Sequence, residues 1–362
     1  MGAQPSPVQA IVFDLGGTLL REVPGSDGPL PDGPRIEAIP GAREALRALH
    51  GRYILAVATN ARLSDERQVR KTLAQVGLDP HLAAVITARD VGKGKPDPGF
   101  FHAVLERIGC PPAGAVMVGD GYGTDIVGAK GAGLRAIWFN PARSPCPLVH
   151  PIHDAEVWAL EDLPSTLDRP FPPDLAAALA ILREHAVPEN IVRHSLAVAG
   201  VAHWLAWRLR AEGIPVDPLL AHRGGLLHDL DKLSAMDRTE HGVKAGQILR
   251  ELGWPDLAGI AEGHVLGANP RTWEGKVVHY ADKIVEEDRV VGLAERISGL
   301  SRRYVADGDR IALSLPLLRA REEEIVGPLS APREEVMAEL RALDLRLPPF
   351  VAARDRAYHR LT

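Results

Sequence analysis

The chain of 362 residues is too long for one ordinary core and matches two domains, if a domain takes roughly 150 residues. Its hydrophobic fraction of 46% and charged fraction of 25% are those of a globular protein. No run of uncharged apolar residues is long enough to cross a bilayer, so we expect no membrane association. A net charge of −5 argues against a broad nucleic-acid-binding surface, although a local basic patch remains open.

The N-terminus and the cysteines bear on the cellular compartment. The first residues, MGAQPSPVQA, lack the basic start and apolar core of a secretory signal. Only Cys110 and Cys146 occur, and they stand in unlike contexts rather than in a disulfide framework. Because thiols stay reduced in the cytoplasm, we expect a cytoplasmic protein.

Short apolar runs alternate with helix-like segments from Val8 to about Trp138. They read, in chain order, AIVF, GAREALRALH, YILAVA, SDERQVRKTLAQVG, AVIT, PGFFHAVLERIG and AVMVG. This alternation predicts an α/β domain with a parallel, Rossmann-like sheet and crossover helices. Ser64 is placed to cap the second of these helices, and Gly77 to end it.

A proline-rich segment, LPSTLDRPFPPD, separates this half from the rest. We place a first domain at 1–168, a linker at 169–173 and a second domain at 174–362. Segments such as DLAAALAILREHA and HGVKAGQILRELG then carry helical periodicity, and strand-like runs almost vanish, which predicts an all-α domain. The helical extension over 300–362 either seals this bundle or mediates dimerisation.

Polar residues follow the predicted strands of the first half. They are Asp14 in FDLGGT, Thr59 and Asn60, then Lys95, then Asp120 with Asp125. Asp14 alone is equally compatible with a turn that merely uses Asp and two glycines. The ordered series, however, supplies a carboxylate nucleophile, further carboxylates for a divalent cation, a lysine and a hydroxyl, which together indicate a phosphoryl-transfer site.

Over residues 8 to about 168, these four motifs in this order resemble the haloacid dehalogenase-like (HAD) superfamily. The resemblance implies that Asp14 is the nucleophile that forms an aspartyl-phosphate, and that the substrate phosphate is held by Thr59, Asn60 and Lys95. It implies Mg²⁺ bound by Asp14, Asp120 and Asp125, with the backbone carbonyl of Gly16 as a further donor. Lys93 is the alternative to Lys95, but Lys95-Pro96 fits the family pattern better, so Lys93 is expected to be a solvated loop charge.

The first half departs from the family pattern at two points. Phosphatases of this family usually carry a second Asp two residues after the nucleophile, and here that position is Gly16. Positioned proton transfer contributes about 10² to 10⁴ in rate, so the site is expected to be slow, restricted to good leaving groups, or limited to binding. The stretches between Thr18 and Thr59 and between Asn60 and Lys95 are also too short to contain a cap domain. The site is therefore expected to be open or to be covered by the helical half.

The second half contains most of the fourteen histidines, and some stand beside aspartates. The segments RHSLAVA, LLHDLDK and VVHYADKIVEEDR carry His194, the pair His228 and Asp229, and Asp282. Adjacent His-Asp pairs are common by chance. Here the helical context raises their significance, because imidazoles and carboxylates from several helices can converge on a transition metal that activates water for attack on phosphorus.

These three segments, over about 188–292, look like the HD superfamily of metal-dependent phosphohydrolases. The segments EHGVKAGQIL and EGHVLG extend the resemblance to members with two metals, including the HD-type hydrolases of diadenosine tetraphosphate. The resemblance implies a first metal on His194, His228, Asp229 and Asp282, with Asp229 as a candidate bridge to a second metal on His241 and His264. Since no cysteine is among the donors, one or two ions of Mn, Fe, Co, Ni or Zn would fit.

Other polar residues of the second half have a simpler explanation. Lys232 either reaches a substrate phosphate or is a helix-terminal charge. His185, His203, His222 and His279 are predicted to be solvated or core residues, because none matches the family pattern. His279 precedes Asp282 by three residues, so both can share one face of a helix.

The sequence thus predicts a bifunctional cytoplasmic phosphohydrolase that acts on small phosphorylated, nucleotide-like substrates. In this first hypothesis, the HD half hydrolyses a phosphoester or phosphoanhydride with metal-activated water, and the HAD half dephosphorylates a related compound. A second hypothesis, favoured by Gly16, makes the HAD half a catalytically weak module that senses a phosphorylated ligand and regulates the HD enzyme. A scaffold with both sites inactive is disfavoured, because so many ligand-type residues remain at workable spacings. The sequence leaves open whether the chain forms a homo-oligomer.

Overall fold

The computed structural model describes residues 7–22, 36–233, 240–303, 305 and 308–347. These residues divide into two compact units. The first contains the described residues up to Ser144 together with Ile152–Phe171, and the second contains Pro145–Pro151 and the described residues from Pro172 onward. None of the described helices combines the length and apolarity that a membrane span requires.

The first unit is built on a parallel sheet. Its described strands are β1 (Ala10–Phe13), β2 (Leu20–Glu22), β3 (Ile36–Ala38), β4 (Ile54–Thr59), β5 (Ala84–Thr87), β6 (Ala115–Gly119), β7 (Arg135–Phe139) and β8 (Ala155–Val157). Strands β2 and β3 form a separate antiparallel pair. The other six form one sheet in the order β5-β4-β1-β6-β7-β8, and every neighbouring pair in it is parallel.

Strand β1 lies in the middle of this sheet and fixes the position of the residue that follows it. All four of its residues are buried, as expected for a strand covered on both faces. Phe13 pairs with Val57 of β4 on one side and with Val118 of β6 on the other. The strand order reverses between β1 and β6, and such a switch point opens a crevice beyond the carboxyl ends of the strands. Asp14, which directly follows β1, therefore lies at this crevice.

Helices cover the sheet. They are α1 (Ala42–Leu49), α2 (Glu66–Gln75), α3 (Ala88–Val91), α4 (Pro98–Ile108), α5 (Val127–Gly131) and α6 (Leu163–Leu167). In α1 the buried residues recur every three or four positions, which is the pattern of a helix with one face on a core. The α/β class predicted for this half is confirmed.

The start of α2 corrects one prediction. The capping residue is Asp65 and not Ser64. The Asp65 carboxylate accepts from the Gln68 amide at 2.9 Å, and the Gln68 side chain accepts from the Asp65 amide at 3.0 Å. This reciprocal pair satisfies two free amides at once, which a serine one residue earlier cannot do. Gly77 follows the helix end with a φ of 74°, as predicted.

The second unit is helical. Its helices are α7 (Leu175–Glu184), α8 (Glu189–Ala211), α9 (Pro218–Leu227), α10 (Val243–Glu251), α11 (Pro255–Gly263), α12 (Trp273–Ile284), α13 (Leu293–Arg303), α14 (Gly308–Leu313), α15 (Leu315–Val326) and α16 (Arg333–Ala342). The long helix α8 packs against α9 and α12. The predicted helical class is confirmed, with one addition: Val285–Glu286 (β9) and Arg289–Val290 (β10) form a short antiparallel hairpin after α12.

Residues Pro145–Pro151 belong to the second unit, whereas the predicted first domain, 1–168, contains them. His150 accepts at Nδ1 from His222 Nε2 at 3.0 Å and donates from Nε2 to the Leu345 carbonyl at 3.0 Å. The buried Arg223 guanidinium donates to the carbonyls of Pro151 and Pro173. Contacts that are distant in sequence hold this segment, so local composition does not reveal its placement. The domain and linker bounds of the sequence analysis otherwise stay predictions.

Candidate active sites

The first candidate site lies where the central strands of the sheet end. Asp14 follows β1, Thr59 ends β4, and Asp120 follows β6, while Lys95 comes from the loop before α4. A cavity of about 300 Å³ opens there, and it is lined by Asp14, Gly16, Thr59, Asn60, Lys95, Asp120, Gly121, Thr124 and Asp125. The structure therefore brings together every residue that the sequence analysis selected in this half.

A lysine lies between two carboxylates in this cavity. Lys95 Nζ donates to Asp14 Oδ1 and lies 2.6 Å from Asp125 Oδ1. All three side chains are almost fully buried. Burial raises the pKa of Asp14 to about 6, although the Lys95 cation opposes the shift. Burial also raises the pKa of Asp125. One lysine cannot neutralise all of these acids once Asp120 is counted, so the site retains negative charge for a cation.

The donor set fits Mg²⁺. Oxygen atoms of Asp14, Asp120 and Asp125 lie within 4.8 Å of one another. Carboxylate oxygens are the protein ligands that Mg²⁺ prefers. Asp125 belongs to a π-helical turn, Tyr122–Ile126, and its Oδ2 accepts from the Gly121 amide at 2.9 Å. Such turns occur often at functional sites, and this one holds the carboxylate toward the cavity.

Two residues that the sequence analysis did not select hold Asp120. Thr18 Oγ1 donates to Asp120 Oδ1 at 3.0 Å and accepts from the Asp120 amide at 3.1 Å. Trp138 Nε1 donates to the Asp120 carbonyl at 3.1 Å. The threonine follows the two glycines of FDLGGT, so its position in that motif was the available signal. The tryptophan had none, because β7 becomes a neighbour of Asp120 only in the folded sheet.

The two glycines of this motif differ in what the backbone requires. Gly17 has a φ of 84°, and a Cβ there would lie 2.3 Å from Asp120 Oδ2. Only glycine fits such a position. Gly16 lies outside the left-handed region, and a Cβ there would meet nothing within 4 Å. The turn therefore does not demand glycine at the position where related phosphatases carry their acid.

Asn60 and Lys93 occupy different places around the cavity. Asn60 donates from Nδ2 to the Lys95 carbonyl at 3.0 Å and accepts at Oδ1 from the Lys95 amide at 2.7 Å. Its side chain thus positions the main chain of Lys95, and its predicted contact with a phosphate stays a prediction. Lys93 is exposed and lies 3.8 Å from Asp97, as expected for a loop charge.

The second candidate site lies among the helices of the other unit. His194 lies on α8, His228 and Asp229 follow α9, and His264 follows α11. His241 precedes α10, and Asp282 lies near the end of α12. These are the six residues that the sequence analysis predicted as metal ligands in this half.

One group of donor atoms centres on Asp282. His194 Nε2 lies 3.0 Å from Asp282 Oδ1, and His228 Nε2 lies 3.8 Å from the same oxygen. His228 Nε2 also lies 3.6 Å from Asp229 Oδ2. His228 is fully buried, and this nitrogen has no hydrogen-bond partner among the described residues. A buried ring nitrogen left unpaired toward two carboxylates fits a metal ligand.

A second group centres on the other oxygen of Asp229. Asp229 Oδ1 lies 3.2 Å from His241 Nε2 and 3.4 Å from His264 Nε2. The two ring nitrogens are 3.1 Å apart. Donors bound at ~2.1 Å to one tetrahedral or octahedral ion lie roughly 3.0 to 3.4 Å from one another. The second group therefore has the spacing of a metal site, and the two oxygens of Asp229 face different groups.

All four histidines are held in the same way. Each ring has its Nδ1 within hydrogen-bond distance of an oxygen that only accepts. The partners are the Glu287 carbonyl for His194 (2.9 Å), the Gly225 carbonyl for His228 (2.7 Å), the Ala261 carbonyl for His264 (2.5 Å) and Asp231 Oδ1 for His241 (2.8 Å). In a neutral ring the proton therefore sits on Nδ1, and the lone pair of Nε2 faces the cluster.

The charges of this site suit metal binding. Burial alone would raise the pKa of both carboxyls, but the facing side chains outweigh it. Asp229 faces the histidines and Lys232, and Asp282 faces Lys283, so each pKa lies well below its usual range. Burial lowers the pKa of His228 to about 3, which keeps that ring neutral. Anionic carboxylates and a neutral imidazole are the protonation states that a metal requires.

His241 differs in its protonation. Burial opposes the charged ring, but hydrogen bonds to Asp229 and Asp231 prevail and raise the pKa of His241 to about 9. In the absence of metal, this histidine therefore carries a proton at neutral pH that a metal must displace.

Two lysines flank the cluster. Lys232 Nζ donates to Asp229 Oδ1 at 3.1 Å, and its side chain is 38% exposed, so it can meet a substrate. Lys283 is buried, contacts Asp282 Oδ2 and donates to the His264 carbonyl at 3.1 Å. Lys283 was not among the residues predicted from the sequence. Its place directly after Asp282 was the only signal.

The other histidines that the structure describes in this unit lie outside both groups. His185 is exposed, whereas His203, His222 and His279 are buried, as expected for solvated or core residues. Burial lowers the pKa of His203 and of His279 to about 3.

Comparison with known families yields two matches in this chain. Residues 27–133 match the haloacid dehalogenase-like hydrolases, and residues 191–299 match the HD domain.

Individual proteins are similar in sequence to parts of the chain. An uncharacterized protein of Methanocaldococcus jannaschii is 37% identical over 143 residues, which is 35% of this chain and 83% of the relative. A phosphoserine phosphatase of Thermus thermophilus is 41% identical over 76 residues, covering 21% of this chain and 30% of that enzyme. A pyrimidine 5′-nucleotidase of Escherichia coli is 36% identical over 103 residues, covering 28% and 44%. The chain thus spans less than half of either enzyme.

Solved structures resemble parts of the chain as well. An uncharacterized protein from Listeria monocytogenes is 27% identical, covers 44% of this chain and 97% of its own, and has a TM-score of 0.40. A HAD phosphatase from Thermococcus onnurineus is 22% identical, covers 44% and 98%, and has a TM-score of 0.37.

The two family matches fall on the two units described above, and the resemblance inferred from the motifs is confirmed. The chain is a hydrolase of the HAD/HD type, in which a haloacid dehalogenase-like domain is joined to an HD domain.

Proposed function

We propose that this chain is a bifunctional metal-dependent phosphohydrolase with one active site in each half. The HD half hydrolyses a phosphoester or phosphoanhydride of a nucleotide-like substrate. The HAD half releases phosphate from a related small compound through an aspartyl-phosphate. The observation that carries this proposal is the convergence of four Nε2 atoms and two carboxylates in the second unit, with every Nδ1 already held by an acceptor.

In the HD half, the six side chains hold the metals and the lysine meets the substrate. When bound, divalent ions supply an activated water and polarise a phosphoryl oxygen. Asp229 presents one oxygen to each group of donors, so it serves both positions. Lys232 is a cation that reaches solvent at this site, and its charge neutralises the incoming phosphate.

In the HAD half, Asp14 attacks the phosphorus of the substrate. The new bond joins a carboxylate oxygen of Asp14 to phosphorus, the bond to the leaving group breaks, and water then hydrolyses the acyl phosphate. Lys95 and Thr59 neutralise and hold the phosphoryl group, and the three carboxylates would hold Mg²⁺, which would offset the remaining charge. Gly16 offers no proton, so the leaving group departs as an anion and the site favours good leaving groups.

Two similarities support a nucleotide-like substrate. The HD motifs resemble those of hydrolases of diadenosine tetraphosphate, and one relative of this chain is a pyrimidine 5′-nucleotidase. Lys232 suits a phosphate chain and makes no selection among bases.

A second candidate function is favoured by Gly16. In that case the HAD half binds a phosphorylated ligand without turning it over and regulates the HD enzyme. The cavity then serves as a phosphate receptor through Thr59 and Lys95.

A phosphate-release screen with matched single-site variants tests the proposal. The full chain, Asp14→Asn and Asp229→Ala are assayed with Mg²⁺ or Mn²⁺ on nucleotides, dinucleoside polyphosphates, sugar phosphates and an aryl phosphate. We expect Asp229→Ala to lose the nucleotide-like substrate and keep the aryl phosphate, and Asp14→Asn to show the reverse. Loss of both activities in either variant would contradict two separate sites. An HD activity that changes when a phosphorylated compound binds the HAD half, without turnover of that compound, would favour the regulatory function.

A further inference from the structure

We infer that Asp231 is a positioning residue that selects the metal-binding tautomer of His241. This inference rests on the proposed function, because it takes His241 to be a ligand of the second metal. Neither the family matches nor the motifs assign a role to Asp231, which lies two residues after Asp229 in LLHDLDK.

The two oxygens of Asp231 have different partners. Oδ1 accepts from His241 Nδ1 at 2.8 Å. Oδ2 accepts from the backbone amides of Gly242 at 2.7 Å and Ala245 at 3.1 Å, at the start of α10. Asp231 is fully buried, so these contacts are not shared with bulk water. One carboxylate therefore anchors the start of a helix and orients a histidine at the same time.

His241 differs from the other three histidines in what orients it. Each of those rings bonds to a main-chain carbonyl, which no side-chain substitution removes. The His241 ring bonds to a carboxylate, which accepts only and also makes the imidazole a stronger donor toward a metal. The tautomer of His241 thus depends on one side chain.

The backbone beside His241 limits the alternatives. Gly242 has a φ of 84°, and a Cβ there would lie 2.8 Å from the Ala261 carbonyl oxygen. This close approach fixes where the chain leaves His241. With the backbone placed, Nε2 of the ring points at Asp229 and His264, and in the neutral ring the hydrogen bond from Nδ1 to Asp231 leaves the lone pair on Nε2.

Replacing Asp231 with asparagine should reverse the tautomer without changing the shape of the residue. Two amide donors face the Oδ2 position, so the asparagine oxygen must occupy it. The NH₂ group then faces His241 Nδ1, which has to become the acceptor. In the neutral ring the proton moves to Nε2, where it blocks the second group of donors.

Metal titration of the metal-free full chain with Mn²⁺ is the first test. For Asp231→Asn we expect one ion fewer than in the wild type, or a second ion bound about 10- to 100-fold more weakly. Asp217→Asn is the matched control, because Asp217 also accepts from two backbone amides at a helix start but from no histidine in the described contacts. The double variant with His241→Ala should bind no fewer ions than His241→Ala alone.

The second test reads the tautomer directly by ¹⁵N NMR of the metal-free protein at pH 10, above the His241 pKa of about 9. His241 signals are assigned by their absence in His241→Ala. The wild type should carry the proton on Nδ1, and Asp231→Asn should carry it on Nε2. A merely structural role of Asp231 would leave the tautomer unchanged.

These outcomes separate the inference from the proposed function. A wild type with the proton on Nε2 overturns the inference without any variant, even if Asp231→Asn fails to fold. A folded Asp231→Asn that keeps Nδ1–H and both ions overturns it as well. A wild-type HD half that binds only one ion contradicts the two-metal function, whereas the NMR measurement still decides the role of Asp231.

Discussion

The two candidate sites are both suited to a divalent ion, but they are built from different side chains. Each gathers carboxylates that a divalent ion would neutralise. In the HAD half, Lys95 pairs with Asp14 and Asp125, and the acids lie at or just beyond strand ends. In the HD half, imidazole rings accompany the acids, and backbone carbonyls or a carboxylate fix how those rings point. A sheet edge places its residues by strand register, whereas a helical bundle needs a second layer of contacts to aim each side chain.

The largest expected effect tests whether the HD cluster is a metal site. His228→Ala should release transition metal and lower HD-dependent hydrolysis roughly 10²-fold or more, because a fully buried ligand is lost. The first unit should keep its thermal transition, since its core is separate. Metal analysis and calorimetry measure both, with His185→Ala, an exposed histidine of the same unit, as the control. Full metal content and activity in His228→Ala would refute the assignment.

The next effect sharpens the account of the HAD half. Gly16→Asp should accelerate hydrolysis of alkyl phosphates, within a ceiling of about 10² to 10⁴ for general acid–base help, because the position has room and an ordinary φ. Aryl phosphates, whose leaving groups need little protonation, should gain much less. Rates are compared in a His228→Ala background, so that HD activity cannot mimic a gain.

The neighbouring glycine supplies the control for that experiment. Gly17→Ala should disable the HAD half, since its Cβ would lie 2.3 Å from Asp120 Oδ2, whereas Gly16→Ala should be tolerated. If Gly16→Asp stays folded and binds Mg²⁺ yet releases no phosphate from any substrate, the ligand-sensing hypothesis gains and the phosphatase hypothesis loses.

A smaller effect concerns the metal count. Replacing His264 or His241 with Ala should lower the stoichiometry of the HD half from about two ions to about one, because both belong to the second group of donors. Elemental analysis against protein concentration gives the number. An unchanged stoichiometry would make both histidines structural.

The smallest effect is a pH dependence of the HAD half. Only ionised Asp14 can attack phosphorus, and burial raises the pKa of Asp14 to about 6. In limiting Mg²⁺, kcat/KM for an aryl phosphate should therefore fall as the pH drops through about 6. Saturating Mg²⁺ should move this acid limb to lower pH, because the cation favours the carboxylate. A limb at the same pH in both conditions would exclude Asp14 and its partners as the cation site.

Much of the site was accessible from the sequence because its residues stand in short motifs at the ends of predicted elements. Asp14, Thr59 and Asp120 each lie at the end of a strand whose apolar run identifies it. His228 and Asp229 end an apolar helix in the same way. The fold classes and both families followed from these patterns and are confirmed. The roles of the individual residues stay predictions.

The sequence by itself determined the two fold classes, the two families and the set of candidate ligands, because each depends on local periodicity or on short motifs. Only the tertiary structure decided how those ligands are aimed. The hydrogen bonds that aim them join separate segments of the chain. Thr18 and Trp138 bond to Asp120, Asp231 bonds to His241, and the Glu287 carbonyl bonds to His194. Several of these pairs lie many residues apart in the sequence. Hydrogen bonds between distant segments likewise hold Pro145–Pro151 in the helical unit. A hydrogen bond across a fold leaves no pattern in either of the segments that it joins, so only their meeting in space reveals it.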